Sequence, residues 1–290
     1  MVASRPRSDE IIFLASTQTE NYVIQLVKSF LIQLNRLNVR IPRQLATRVA
    51  IWDAIRRRTE ILDKLFLNCG VLEDPRGFWS VTPMPARSNL DEFYRQDYWA
   101  SRNQQSIILT RRDIAHFEQF RGYLAEDSLK PIRVLNFGSG HGGISFLMSA
   151  LGHSVVNVDP FALDPDRFEH KADLEEVQGE FDLVYSSHSL EHVTNIDSTL
   201  CRILELLKPG GIFFVEVPNS EIRGQQGCMS EPPDSLISPP HTYYFTRRFF
   251  AGLGLVVREL SIFEYHGNEY GRQSKDMSGE VIRFIGEKTS

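Results

Sequence analysis

The segment Ile132-Arg133-Val134-Leu135-Asn136-Phe137-Gly138-Ser139-Gly140-His141-Gly142-Gly143 constrains this 290-residue chain more than any other. An apolar, β-prone run stops at a glycine cluster, and Ile144, Phe146, Leu147 and Leu151 then recur at helical spacing. Glycines at a strand-to-helix turn allow a tight reversal and let a ligand approach backbone amides at a helix N-terminus. Nineteen residues after Gly140, Asp159 closes a second apolar run, Ser154-Val155-Val156-Asn157-Val158. A carboxylate at the end of the second parallel strand accepts the two hydroxyls of a ribose. Strand, glycine turn, helix, strand and acid together predict a nucleoside-binding α/β sheet. From Pro131 onward the alternation of strand and helix patterns continues, as a sheet with crossover helices requires.

The loop alone does not name the nucleoside. Gly138, Gly140 and Gly143 satisfy GxGxxG, the dinucleotide fingerprint, whereas Gly138, Gly140 and Gly142 satisfy the GxGxG of S-adenosylmethionine enzymes. The downstream order is more informative. A buried strand, Phe181-Asp182-Leu183-Val184-Tyr185-Ser186-Ser187, breaks into His188-Ser189-Leu190-Glu191-His192-Val193. A helix around Leu200 to Leu207 leads to Lys208-Pro209-Gly210-Gly211 and then to the strand Ile212 to Asn219. Further on come Pro240-His241-Thr242-Tyr243-Tyr244-Phe245-Thr246 and Gly254-Leu255. This succession, from about Tyr94 to Lys288, resembles the class I S-adenosylmethionine-dependent methyltransferases, in which FDxV, LEHV, LKPGG, VPN and H-x-x-x-FT stretches recur in this order. The resemblance implies a Rossmann-like, doubly wound, mostly parallel seven-stranded sheet with its last strand antiparallel. It also implies S-adenosyl-L-methionine as cofactor.

By that resemblance the loop from Gly138 through Ser139 and Gly140 to Gly142 lies against the methionyl end of the cofactor, and Asp159 holds its ribose. Pro160 and Phe161 flank the adenine, Asp173 and Leu174 meet its edge, and Ser187 ends the fourth strand beside it. Tyr98, with Tyr94 and Trp99, belongs to an aromatic stretch that closes over the cofactor in such enzymes, where an aromatic face favours a sulfonium. Asn136 departs from the pattern: the family has Asp or Glu there, and an amide brings no negative charge. His188 is the first candidate for a general base, because its loop faces the expected methyl and an imidazole titrates near neutrality. His241 is the second, while His192 reads as structural and His141 as a border of the cofactor. The implied reaction is in-line methyl transfer to an O or N nucleophile of a small molecule, sugar or glycan. The alternatives are an NAD-dependent oxidoreductase, kept open by GxGxxG, and a non-catalytic methyltransferase-like scaffold, motivated by Asn136.

The remainder of the chain is read as a helical region, 1–130, ahead of a catalytic domain, 131–290. Val23, Leu26, Val27, Phe30, Leu31, Leu34 and Leu37 form one apolar helical stripe. A second helix from Pro42 carries Leu45, Val49, Trp52, Ile55, Leu62 and Phe66, with Gly70 as its expected C-cap. Such stripes need a cover, either the rest of this chain or a second copy, so a homodimer through these helices is one expectation. Prolines and glycines at Pro75, Gly77, Pro83 and Pro85 are expected to interrupt regular structure over 70–100. The stretch Ser220 to Pro240 reads as a lid or binding loop. Residues 1–66 hold eleven Lys and Arg against six Asp and Glu, whereas the chain as a whole has a net charge of −5. The basic front lacks the dense stripe of a nucleic-acid module, so nucleic acid is not an expected partner. No apolar run approaches the length of a membrane span. Three distant cysteines, Cys69, Cys201 and Cys228, form neither a disulfide framework nor a metal motif, which favours a reducing, cytoplasmic setting. No His, Asp and Glu cluster shows ligand spacing, so no metal is expected.

Overall fold

The computed structural model describes residues 60–95, 107–124, 130–160, 168–221, 239–264, 273–274 and 279–289. Tyr98, Trp99, Phe161, Cys228, the stretches up to residue 59 expected to form amphipathic helices, and most of the 220–240 insertion lie outside the described residues. The chain divides into two compact units, 1–60 and 61–290.

That second unit is built on a seven-stranded sheet. Its strands are β3 (Arg133–Phe137), β4 (Ser154–Val158), β5 (Glu169–Lys171), β6 (Phe181–Ser187), β7 (Leu207–Pro218), β9 (Val256–Phe263) and β10 (Val281–Glu287), in the order β5-β4-β3-β6-β7-β10-β9. The pairs β4/β5, β3/β4, β3/β6 and β6/β7 are parallel. The last strand, β10, runs antiparallel to both β7 and β9, giving the doubly wound sheet that the resemblance implies. Chain order reverses between β3 and β6, and open α/β sheets expose their ligand crevice at such a switch, beyond the carboxyl ends of the strands.

Both faces of the sheet are covered, and for that reason its strands read as continuous apolar runs. Helices α2 (Arg111–Phe120) and α3 (Gly143–Ala150) share one face, where Phe120, Ile144 and Met148 pack with Val134, Tyr185, Phe214 and Ile285. Helices α4 (Ile196–Leu206) and α5 (Arg247–Ala251) take the other, where Leu200, Ile203, Phe249 and Phe250 meet Leu135, Val184, Phe213 and Phe284. Fully burying one such aromatic or aliphatic side chain contributes roughly 1.5–3 kcal/mol, so the two layers hold the strand register firmly. Helix α2 starts at a capping box in which Thr110 and Asp113 satisfy each other's backbone amides. Among the described residues no helix is long and apolar enough to cross a membrane.

The 70–100 stretch is more regular than its prolines imply. Strands β1 (Gly70–Asp74) and β2 (Phe78–Thr82) form an antiparallel hairpin, and helix α1 (Arg87–Phe93) follows. Turn residue Gly77, at φ +98°, donates its amide to Asp74 O at 2.9 Å. The hairpin then borrows a third strand from far downstream: β2 pairs antiparallel with β8 (Tyr243–Phe245) through Phe78↔Phe245 and Ser80↔Tyr243. Gly70 is therefore a strand residue and not a helix cap. The helical turns at 60–65 end earlier, with Asn68 in the left-handed conformation at φ 62°. Leu62 and Phe66 are buried with Val81, Leu90, Phe93 and Tyr244.

Candidate active site at the carboxyl edge

The glycine turn is shaped by two kinds of necessity. Gly138 and Ser139 donate their amides to Val158 O at 2.8 and 3.3 Å, which folds the loop across the end of β4. At Gly138, φ is +75° and an added Cβ would stand 1.8 Å from Ser189 Oγ, so the β6 loop presses directly on it. Gly143 has an ordinary φ, but a Cβ there would meet Asp113 Oδ2 at 2.4 Å and Ile108 O at 2.6 Å. The glycine at 143 is thus explained by packing of the 107–113 segment against the start of α3. The GxGxG alignment accounts for the turn itself.

Asp159 lies beyond the end of β4, 7% exposed, and accepts the Gly140 amide on Oδ2 at 2.9 Å. Pro160 next to it is exposed. Asn136 is almost fully buried and faces α3: its amide donates to Ser145 Oγ at 2.8 Å, and Ser145 donates to Asn157 Oδ1 at 2.6 Å. This chain of neutral partners accounts for an amide where the family has an acid, since Asn136 Nδ2 supplies a donor that a carboxylate lacks. Its Oδ1 is buried with no hydrogen-bond partner, an acceptor open to a ligand group. Asp173 caps the turn Leu174–Glu176 by accepting from Glu175 N at 3.1 Å, and its other oxygen pairs with Arg87. Leu174 is a core residue, packed with Val177 and Phe181 in the layer beneath the sheet.

A buried charge network, invisible in the local motifs, lies under the β6 and β7 ends. Sheet register places Ser187 beside Glu216 and Glu216 opposite Arg283. Glu216 is fully buried; its Oε2 receives Arg283 Nε at 2.6 Å and His116 Nε2 at 2.8 Å. Tyr185 Oη and His116 Nδ1 are 2.7 Å apart. Burial raises the Tyr185 phenol far above its usual pKa, so it is the donor in that bond. Burial likewise pushes His116 down, and it stays a neutral imidazole despite Glu216. Burial alone would raise Glu216, but His116, His188 and Arg283 hold it well below the usual carboxylate range.

His188 sits on top of this network in a left-handed conformation, φ 52°, with its amide donating to Glu216 O at 2.9 Å. Nδ1 is 3.2 Å from Glu191 Oε1, and Nε2 is 3.4 Å from Glu216 Oε1. Burial opposes its charge, yet the two carboxylates prevail and raise its pKa to about 9. Both ring nitrogens thus lie close to carboxylates, a setting that favours the protonated imidazole. His192, His241 and Tyr94 form a second group. Tyr94 Oη is 2.8 Å from His192 Nδ1, and the His192 and His241 rings meet edge to face at 4.9 Å. One potential ligand atom from each of Glu191, His192 and His241 falls within 4.8 Å of the others. Sequence spacing does not show this grouping, because His241 is 49 residues from His192 and is brought there by the segment leading into β8.

A doubly wound sheet with a glycine turn after its first parallel strand and a buried carboxylate after its second defines a class I, Rossmann-like methyltransferase domain. A family model described as "Methyltransferase domain" matches residues 91–255, more than half of the chain, and the chain belongs to that family. S-adenosylmethionine is the cofactor of the family, which sets the NAD alternative aside. Among curated proteins, the chain is 32% identical over 124 residues to a ubiquinone biosynthesis O-methyltransferase of Chelativorans sp. (strain BNC1), covering 38% of this chain and 48% of that protein. It is also 32% identical over 110 residues to a mitochondrial ubiquinone biosynthesis O-methyltransferase of Rattus norvegicus, covering 31% and 32%. The chain spans about half or less of the length of these relatives. Among solved structures, a 1,6-didemethyltoxoflavin-N1-methyltransferase of Burkholderia thailandensis is 17% identical with a TM-score of 0.47, covering 76% of this chain and all of that one.

Proposed function

We propose that this protein transfers a methyl group from S-adenosylmethionine to an oxygen of a small-molecule acceptor. The observation that carries the reading is the left-handed turn Gly138–Gly142 drawn against Asp159 by the 2.9 Å bond from Gly140 N. The residues present fit the cofactor: Asp159 supplies a buried carboxylate for ribose hydroxyls, and Asn136 Oδ1 is an unmatched buried acceptor. Ser139, Gly142, Pro160, Phe161, Asp173, Leu174, Ser187 and Tyr98 complete the cofactor set that the resemblance implies. Oxygen as the nucleophile is supported by the curated relatives named as O-methyltransferases.

The bound cofactor supplies an activated methyl on a sulfonium, so the protein contributes mainly position and water exclusion. Asp159 and the turn fix the nucleoside and methionyl ends. His188, clamped between Glu191 and Glu216, holds the shape of the loop after β6. His241, the second histidine candidate, stands in the segment leading into β8. Calorimetric titration with S-adenosylmethionine and its demethylated product, beside Asp159→Ala, tests the cofactor half: saturable binding that the substitution weakens by about tenfold or more is expected. A labelled-cofactor screen against phenol, sugar and amine panels tests the acceptor half. Absence of cofactor binding would sink the reading, and transfer only to amines would move the acceptor to nitrogen.

A further inference from the structure

We infer that Glu191, His192 and His241 form a divalent transition-metal site beside the methyl-transfer crevice, resting on the methyltransferase reading for its purpose but not for its existence. Two imidazoles and one carboxylate are a zinc-type donor set, and three protein ligands leave a coordination position open. Glu191 is 1% exposed, and its Oε2 is buried without a hydrogen-bond partner. A buried carboxylate oxygen left in that condition is costly unless a ligand completes it.

The surroundings are those of a prepared site. His192 Nε2 lies 3.9 Å from Glu191 Oε1, while Nδ1 on the far side of the ring is engaged by Tyr94 Oη at 2.8 Å and faces Pro240 O at 3.4 Å. Anchoring one ring nitrogen by a hydroxyl or carbonyl is how metal-binding histidines are commonly oriented. The backbone joins the two ligand-bearing segments. Thr242 donates its amide to Glu191 O at 2.7 Å, and its hydroxyl reaches Glu191 O at 3.0 Å and Val193 O at 2.6 Å. His241 is consequently held opposite the 191–193 turn. Tetrahedral zinc sets its ligand atoms about 3.3 Å apart. The cluster, within 4.8 Å overall, must contract by up to about 1.5 Å, a shift that rotation of the two imidazoles would supply.

The position suits the proposed chemistry. Glu191 follows Ser187, the end of β6, by four residues, at the carboxyl edge where the cofactor crevice opens. An acceptor hydroxyl on the open coordination position would be acidified by the cation and would release its proton to solvent water, leaving its oxygen to take the methyl without a separate histidine base.

The test is binding of zinc to the chelator-stripped full chain by calorimetry, with cobalt as a spectroscopic substitute, alongside Glu191→Gln and His241→Ala. One equivalent of zinc is expected for the wild type, with cobalt giving a d–d spectrum of low coordination number. Either substitution should weaken binding by about 100-fold or more. Thermal midpoints and S-adenosylmethionine titrations on the same samples report folding and cofactor binding separately, and the less buried His241 guards against a folding defect at Glu191. Failure of the wild type to bind zinc, or binding that a folded His241→Ala protein retains, would overturn the site. Loss of S-adenosylmethionine binding in the wild type would instead overturn the function proposed above.

Discussion

Around Gly138–Gly142 the molecule works with backbone, and under the ends of β6 and β7 it works with buried charge. The first region is contiguous in sequence: a turn, its helix and an acid nineteen residues on, joined by amide-to-carbonyl bonds to Val158 and one amide-to-carboxylate bond. The second is assembled from His116 on α2, Tyr185 and His188 at β6, Glu216 on β7 and Arg283 on β10. A backbone site tolerates only the residue that fits its conformation. A charge network tolerates only complete sets, because removing one member leaves another buried and uncompensated.

Substitutions should therefore fail in different ways in the two regions. The largest effect is expected at Glu216→Gln, which leaves Arg283 buried without its anion; a loss of about 3–5 kcal/mol in urea unfolding would be typical for such a pair. A loss below about 1 kcal/mol would show that the network contributes little to stability. Gly138→Ala comes next. The clash with Ser189 should displace the turn and weaken S-adenosylmethionine binding by about 100-fold, near 2.7 kcal/mol, measured by calorimetry on protein that remains folded.

The pH dependence of stability is a third, smaller test. His116 is held neutral, its folded pKa below the unfolded imidazole value, with Tyr185, Glu216, Arg112 and Arg283 as its charged or titratable surroundings. Its contribution is complete above about pH 6.5 and declines as pH falls below it, by at most about 1.4 kcal/mol per unit. Glu216, depressed in the folded state, adds a second decline that begins as pH falls through the ordinary carboxylate range and continues below it. Urea midpoints should fall from about pH 6.5 to 5, and His116→Gln should flatten that fall; above about pH 6.5 His188, with its pKa raised to about 9, works in the opposite direction. The smallest effect is expected at Gly142→Ala. Its φ of +66° is unfavourable for alanine, but the nearest atom to the new Cβ is 3.7 Å away, so about 1 kcal/mol is expected by thermal unfolding. Equal losses at Gly138 and Gly142 would show that conformation, and not the press of Ser189, governs the turn.

The same contrast decides what could be read without coordinates. Strands β3, β4, β6 and β7 announce themselves as apolar runs because both faces of the sheet are covered, and the turn and Asp159 follow from local spacing. Glu216 lies inside the β7 run and Arg283 inside β10, where each looks like an isolated charge; only the β7/β10 register sets them opposite one another. His116 reads as one polar position on an amphipathic helix. The hairpin β1–β2 was obscured by the prolines that flank it, Pro75 in its turn and Pro83 and Pro85 just past β2, positions that strand pairing tolerates. His188 carried the right signal, a histidine at a strand end. Its partners Glu191 and Glu216, which change what it can do, come from the loop geometry and from the neighbouring strand.

The pairing of β2 with β8 has a consequence for the lineage of such a domain. The hairpin precedes the nucleoside-binding core in the chain, yet it supplies the edge on which Tyr243–Phe245 is laid down, immediately after His241 and Thr242. A shortened descendant beginning near residue 107 would keep the bonds that join the glycine turn to Val158 and Asp159, while β8 would lose its β2 partner and His241 would be held by the Thr242 bonds to Glu191 and Val193 alone. The glycine turn and the placement of His241 therefore depend on different parts of the chain.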